Sequence, residues 1–328
     1  MARGTLHTAD GRQFGFEVNA CGAVGLGVFT EIAIADVQNQ VHYQIVNDHI
    51  GFTGSWAETD TSKPWYVQIA GTDAAPDNGR VSMQAIDGNP LNMAVQASFV
   101  DEATQKPCQI QLKLFQQGQP LLVWGTGCEV LHPGGSDPIQ DNNYYYSLTN
   151  LDASGTSTIG DDVFQVTGLT WMDHEYGAFP DPGKGKKNIW TLQDMQLSNG
   201  LHLSNYTQFG LLPQENVPMP SSATLRLPSG ESVFIENTTT TPTSPMQIDG
   251  TTYFGMYEVS LLETENCTIK FLVQNICPNQ TFVDPQHINS GYEGVARCDM
   301  VITYQRGGNT PPLSLTVSTG TAWIEQSL

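Results

Sequence analysis

Positive charge is scarce in this sequence. Its 328 residues hold 13 lysines and arginines against 33 aspartates and glutamates, a net charge of −20. That imbalance argues against nucleic acid and against anionic membrane surfaces as partners, since both attract basic patches. No run of 18 or more apolar residues occurs, so no membrane-spanning helix is encoded. Met1-Ala2-Arg3-Gly4-Thr5 enters a strand-like pattern at once, with no apolar signal segment. Either the protein is cytoplasmic or a leader has been removed. The Gln, Asn, Ser and Thr that carry the polar surface, with sequons at Asn205, Asn237, Asn266 and Asn279, favour the secretory pathway or an extracellular location.

Several chemical motifs are missing as well. The six cysteines form no C-x-x-C pair, which excludes the usual zinc cluster and redox motifs. Cys267 and Cys277 flank one strand-like run, and an extended run of that length separates them by roughly 33 Å, far beyond disulfide reach. Free thiols are therefore the expectation. His174-Glu175 begins an H-E-x-x-H pattern that Ala178 breaks, and no two histidines sit at metal-ligand spacing, so no metal is assigned. Gly25-Leu26-Gly27 has no following lysine, no G-x-S-x-G is present, and no dinucleotide fingerprint opens a helix.

What is present alternates. Gln13–Val18, Glu31–Ala35, Gln109–Leu114, Ser232–Ile235 and Thr268–Val273 switch between apolar and polar residues at period two, the signature of half-buried strands. Asp10-Gly11, Asn78-Gly79, Asp87-Gly88, Asn199-Gly200, Ser229-Gly230 and Asp249-Gly250 punctuate them as turns. With 32 glycines and 19 prolines, long helices have little room, and the fold class is all-β, in sandwiches or barrels. The length suits two domains of about 150–190 residues. The Pro/Gly-rich stretch between Phe179 and Lys187 divides them, giving an N-terminal domain over 1–187 and a C-terminal domain over 188–328.

The densest chemical constellation is Tyr144-Tyr145-Tyr146-Ser147 followed by Trp171-Met172-Asp173-His174-Glu175-Tyr176-Gly177. On a strand, Trp171, Asp173 and Glu175 share one face, and Met172, His174 and Tyr176 the other. A carboxylate beside an indole on an inward face is desolvated, which suits it to donate a proton. The plainer alternative is that these polar groups satisfy one another and the backbone where the two halves meet.

These residues resemble the carotenoid 1,2-hydratase superfamily, which includes kievitone hydratase and fungal Diels–Alderases. The resemblance runs from Thr8-Ala9-Asp10-Gly11-Arg12-Gln13-Phe14 through Tyr144-Tyr145-Tyr146-Ser147 and the Trp171–Gly177 segment to Gly291-Tyr292-Glu293-Gly294 and Gly320-Thr321-Ala322-Trp323-Ile324-Glu325. It implies two lipocalin-like β domains in tandem, a hydrophobic pocket in or between them, and chemistry without a cofactor. The stretch that family members often carry before the Asp-Gly-Arg strand is almost absent.

The resulting expectation is a cofactor-independent cyclase of Diels–Alder or hetero-Diels–Alder type. Its substrate would be a hydrophobic small molecule, a polyene, terpenoid or polyketide-like compound, held in a pocket between the two β domains. Asp173, His174 and Tyr146 are the candidate catalytic residues; Trp171, Glu175, Tyr144, Tyr145, Tyr176 and Tyr292 are the candidate substrate-binding residues. A pericyclic reaction asks only for a shaped apolar cavity and a hydrogen-bond donor. The alternatives are a hydratase that protonates an isolated alkene, with Asp173 as acid, and a non-catalytic lipid or pigment carrier.

Overall fold

A computed structural model of the protein describes residues 1–23, 27–50, 57–58, 60–71, 75–179, 187–283, 290–305 and 311–328. Strands account for 69% of it, and no α-helix occurs among the described residues, so the chain is all-β. A first sheet holds β1 (Ala2–His7), β2 (Gln13–Ala23), β3 (Gly27–Asp36), β4 (Val41–Ile50), β5 (Tyr66–Ile69) and β6 (Arg80–Ile86). It continues with β7 (Asn89–Val100), β8 (Pro107–Gln116), β9 (Leu121–Leu122), β10 (Cys128–Val130), β11 (Asn142–Ile159) and β12 (Asp162–Gly177). Its strand order is β4-β3-β2-β1-β12-β11-β8-β7-β6-β5, curled as a half-barrel, with β9 and β10 paired to β11.

A second sheet holds β13 (Trp190–Leu197), β14 (His202–Thr207), β15 (Met219–Arg226), β16 (Ser232–Ile248), β17 (Thr251–Glu263), β18 (Cys267–Asn275), β19 (Thr281–Val283), β20 (Ser290–Tyr304) and β21 (Leu313–Ser327). Eight of these strands, in the order β18-β17-β16-β15-β14-β13-β21-β20, close into a barrel through the β18–β20 pairing. These are the two lipocalin-like domains in tandem that the sequence implies.

Of the Pro/Gly-rich stretch expected to divide them, residues 180–186 lie outside the described residues. By packing, the chain forms two units that each draw on both sides of that stretch. The first comprises Met1–Gln119, Leu148–Asp173 and Cys277–Ser290; the second comprises Pro120–Ser147, His174–Ile276 and Gly291–Leu328.

In the first unit the period-two patterns become buried rows. On β8, Cys108, Ile110, Leu112 and Leu114 are buried while Gln109, Gln111 and Lys113 face solvent. Phe14, Phe16 and Val18 of β2 and Ile32 and Ile34 of β3 are buried with them. Phe282 on β19 packs against Ala33 and Val46, so a segment from late in the chain completes this unit.

In the second unit Met195, Leu203, Leu225, Tyr257, Phe271 and Ile324 build an apolar core inside the barrel. Further along the same strands, buried Thr191, Gln193, Asn205, Ser221, Thr238 and Thr240 replace it with a hydrogen-bonded network. Asn205 Nδ2 donates to Gln193 Oε1 at 2.7 Å and to Thr240 Oγ1 at 2.9 Å. The sequon at Asn205 is therefore closed to glycosylation in the folded protein. Trp124, in the left-handed backbone region at φ 59°, is secured within this unit. Its amide donates to Thr224 Oγ1 at 3.1 Å, and its ring meets Tyr145 edge-on at 5.9 Å. All six cysteines are free thiols, and burial pushes those of Cys108, Cys277 and Cys298 up to about 12.

One position sets how closely β1 approaches β12. Gly4 sits opposite Thr170, and a Cβ there would lie 2.8 Å from the Thr170 Cα. Gly4→Ala is therefore expected to destabilise the protein by about 1–3 kcal/mol, the usual range for overpacking. Urea denaturation measures this directly; an unchanged midpoint would show that the two strands have slack.

Candidate functional site

Two clusters form around the end of β12, one in each unit. In the first unit β1 lies between β2 and β12, which places Arg3 opposite both Glu17 and Trp171. Arg3 is fully buried, and a cation taken out of water needs a carboxylate. Asp173 supplies it. Arg3 Nη2 donates to Asp173 Oδ2 at 2.7 Å, and Trp171 Nε1 donates to Asp173 Oδ1 at 2.8 Å. Both carboxyl oxygens of Asp173 are thereby engaged within the protein.

In the second unit the last residues of β12 meet the first residues of β11. Tyr146 Oη and His174 Nδ1 are hydrogen-bonded at 3.0 Å, their rings edge to face. Tyr176 lies beside His174 with ring centroids 5.2 Å apart, and Tyr144 stacks on Tyr176 at 5.0 Å. His174 is an exposed residue, yet its imidazole is desolvated enough, with the N-terminal ammonium adding to the effect, to push its pKa down to about 4. Imidazole is thus neutral at physiological pH. Burial raises the pKa of the Tyr146 phenol, and Tyr176 adds to the effect.

A polar group lies elsewhere in the same unit. Asn143 Nδ2 donates to Glu175 Oε1 at 2.6 Å, and Trp190 Nε1 donates to Glu325 Oε1 at 2.6 Å. The Tyr206 hydroxyl holds its proton far more tightly than a free phenol, through burial and then through Glu175, Glu325 and Glu129.

Of the residues expected from sequence, Tyr144, Tyr146, His174 and Tyr176 come together in the second unit, Glu175 bonds Asn143 on the other face of β12, and Trp171 and Asp173 pair in the first. Tyr145 does not join its neighbours: it faces the other side of β11 and packs with Leu121, Val123 and Trp124. Tyr292 also stands apart, fully buried in the barrel core, where Asn275 Nδ2 donates to its hydroxyl at 3.3 Å. A hollow of about 480 Å³ in the first unit, lined in part by Pro76, Asn78, Phe99, Val100 and Cys108, contains none of the expected residues.

Sequence reasoning missed Arg3, Asn143, Glu129 and Tyr206. Arg3 carried a usable signal, because a buried acid in so cation-poor a chain must draw on one of few partners. A repeated pattern was also overlooked. Trp171-Met172-Asp173 on β12 pairs with β1, and Trp323-Ile324-Glu325 on β21 pairs with β13. The residue opposite Trp171 is Arg3, whereas the residue opposite Trp323 is the buried acid Asp194. Trp323 Nε1 donates to Glu293 Oε2 at 2.5 Å, so both tryptophans bind a carboxylate, but only the first carboxylate is shown bound to an arginine.

The AttH-like family model matches residues 2–299. The chain belongs to the AttH-like family. Among solved structures, an AttH protein from Nitrosomonas europaea shares 15% identity at a TM-score of 0.70, over 99% of this chain and 90% of that one. Kievitone hydratase from Nectria haematococca shares 11% identity at a TM-score of 0.63, over 99% of this chain and 88% of that one. At such identities the likeness is one of fold. No curated protein matches this AttH-like chain.

The Arg3–Asp173 pair generates a stability prediction. Removing one partner breaks a buried ion pair, at a cost of about 3–5 kcal/mol. Arg3→Met and Asp173→Asn should each approach that loss, and the double variant should lose clearly less than the sum. Strictly additive losses in a denaturation cycle would show that the two side chains act independently.

Proposed function

We propose that this AttH-like protein is a cofactor-independent enzyme of the hydro-lyase type, acting on a hydrophobic substrate whose reacting double bond is conjugated to a carbonyl. The observation that carries this reading is the hydrogen bond between Tyr146 and a neutral His174, flanked by the Tyr176 and Tyr144 rings. A phenol of raised pKa is a poor acid toward an isolated alkene but a good hydrogen-bond donor to a carbonyl oxygen. With the proton on His174 Nδ1, that N–H donates to the Tyr146 oxygen, and the Tyr146 O–H is turned to the substrate carbonyl. His174 Nε2 is then a free base. It takes a proton from water as the water oxygen attacks the carbon distal to the carbonyl. Negative charge collects on the carbonyl oxygen, where Tyr146 stabilises it. The proton on Nε2 is returned to the carbon next to the carbonyl, so one water is added and nothing else is consumed. Tyr144 and Tyr176 offer apolar faces to the substrate. Asp173 is a positioning residue in this scheme, since Arg3 and Trp171 occupy its oxygens. The fold shared with kievitone hydratase accords with an enzyme of this type.

Cyclisation of Diels–Alder type is the second reading, favoured by the same phenol donor, which would polarise a carbonyl-bearing dienophile and need no base. Labelled water separates the two. With trans-chalcone as an apolar enone probe, hydration incorporates ¹⁸O from H₂¹⁸O into the product, and Tyr146→Phe slows it by about 10²-fold or more. Because the pKa of His174 is lowered to about 4, the base stays available as pH falls, and the rate should drop only as pH passes below about 4. An inflection near pH 6.5, or full activity in Tyr146→Phe, would overturn the assignment.

A further inference from the structure

Cations in this chain are few, and those that are withdrawn from water find acceptors. Arg3 binds Asp173, Arg12 binds Asp36 and Lys270 binds Glu258. Arg226, at the end of β15, does not. Its side chain is only 9% exposed, and its Nε is shielded from water with no hydrogen-bond partner. Among the described residues no carboxylate pairs with it, not even Glu231 in the adjoining turn. Its neighbour across β14 is the buried His202, and its neighbour across β16 is the exposed Ser232. Leu203 and Leu225, the next residues along, point into the barrel core, so Arg226 and His202 share the outer face.

A guanidinium whose Nε is shielded without an acceptor carries a desolvation penalty, while its Nη nitrogens are not so shielded and remain able to take up a ligand. In a chain with 33 acidic residues, an internal carboxylate at this place would be easy to supply by substitution, yet none is provided. We infer that Arg226, flanked by His202 and Ser232 on the outer face of the second unit's barrel, is an anion-binding site for a carboxylate group. The planar guanidinium fork matches a carboxylate in two parallel N–H···O bonds, and the serine hydroxyl adds a donor at the exposed side. His202 is the residue paired with Arg226 across the sheet. Burial and then the Arg226 charge lower its pKa to about 4, so at neutral pH it presents an uncharged imidazole. The carboxylate could belong to a small free acid or to the head of an amphiphile; the recognition chemistry is the same. This inference does not depend on the Tyr146–His174 reading.

The test compares the full-length protein with Arg226→Met, using acetate and octanoate as probes in thermal unfolding and titration calorimetry at neutral pH. Without added carboxylate, Arg226→Met should melt at or above the parent temperature, because an unpaired buried charge has been removed. With either probe near saturation, only the parent should gain stability, and its dissociation constant should be at least 10-fold below that of the variant. Octanoate binding 10-fold or more tighter than acetate assigns the site to an amphiphile head; equal affinities assign it to a small free acid. Arg226→Gln provides the same comparison should Met disturb folding. Equal carboxylate binding in parent and neutral variants, or no stabilisation of the parent by either probe, overturns the proposal.

Discussion

The ion pair between Arg3 and Asp173 is the constraint on which the rest of the candidate site depends. It ties the first strand of the chain to β12 across 170 residues of sequence and leaves neither charge alone in the interior. With Asp173 turned inward to meet Arg3 and the Trp171 indole, strand alternation sends His174 and Tyr176 to the opposite face. There they meet Tyr146 and Tyr144. The buried charge pair and the aromatic cluster are thus two faces of one stretch of backbone. The first is an electrostatic knot that fixes register; the second is a set of groups able to do chemistry.

The same logic accounts for the difference between the two W-x-acid segments. Trp171 and Trp323 each donate to a carboxylate, but the position across the sheet is Arg3 in one case and Asp194 in the other. Burial, and then Glu175, Glu325 and Glu129, tighten the hold of Tyr206 on its proton.

Much of this was legible in the sequence because period-two alternation is a short-range signal. It located the strands, and it divided Trp171 and Asp173 from His174 and Tyr176. The same rule separates Tyr145 from Tyr144 and Tyr146, a distinction that pairing Tyr144 with Tyr145 as substrate-binding residues overlooks. What could not be read were pairings across long stretches of chain. Scarcity of cations narrows the partners open to Asp173 without picking out Arg3, and nothing in Cys277–Ser290 shows that it completes the first unit through Phe282. Tyr292 is expected among the substrate-binding residues, but β20 carries it into the barrel core. Burial depends on which strands close the barrel, and that is a property of topology.

The central claim is that His174 is held neutral and bound to Tyr146 at the end of β12. Nuclear magnetic resonance titration of the histidine side chains, with ¹⁵N labelling and a His174→Gln variant for assignment, tests it most directly. The account predicts that His174 titrates near 4 and that Tyr146→Phe alters its ring nitrogen shifts. A His174 that titrates near 6.5 and does not respond to Tyr146→Phe would contradict it.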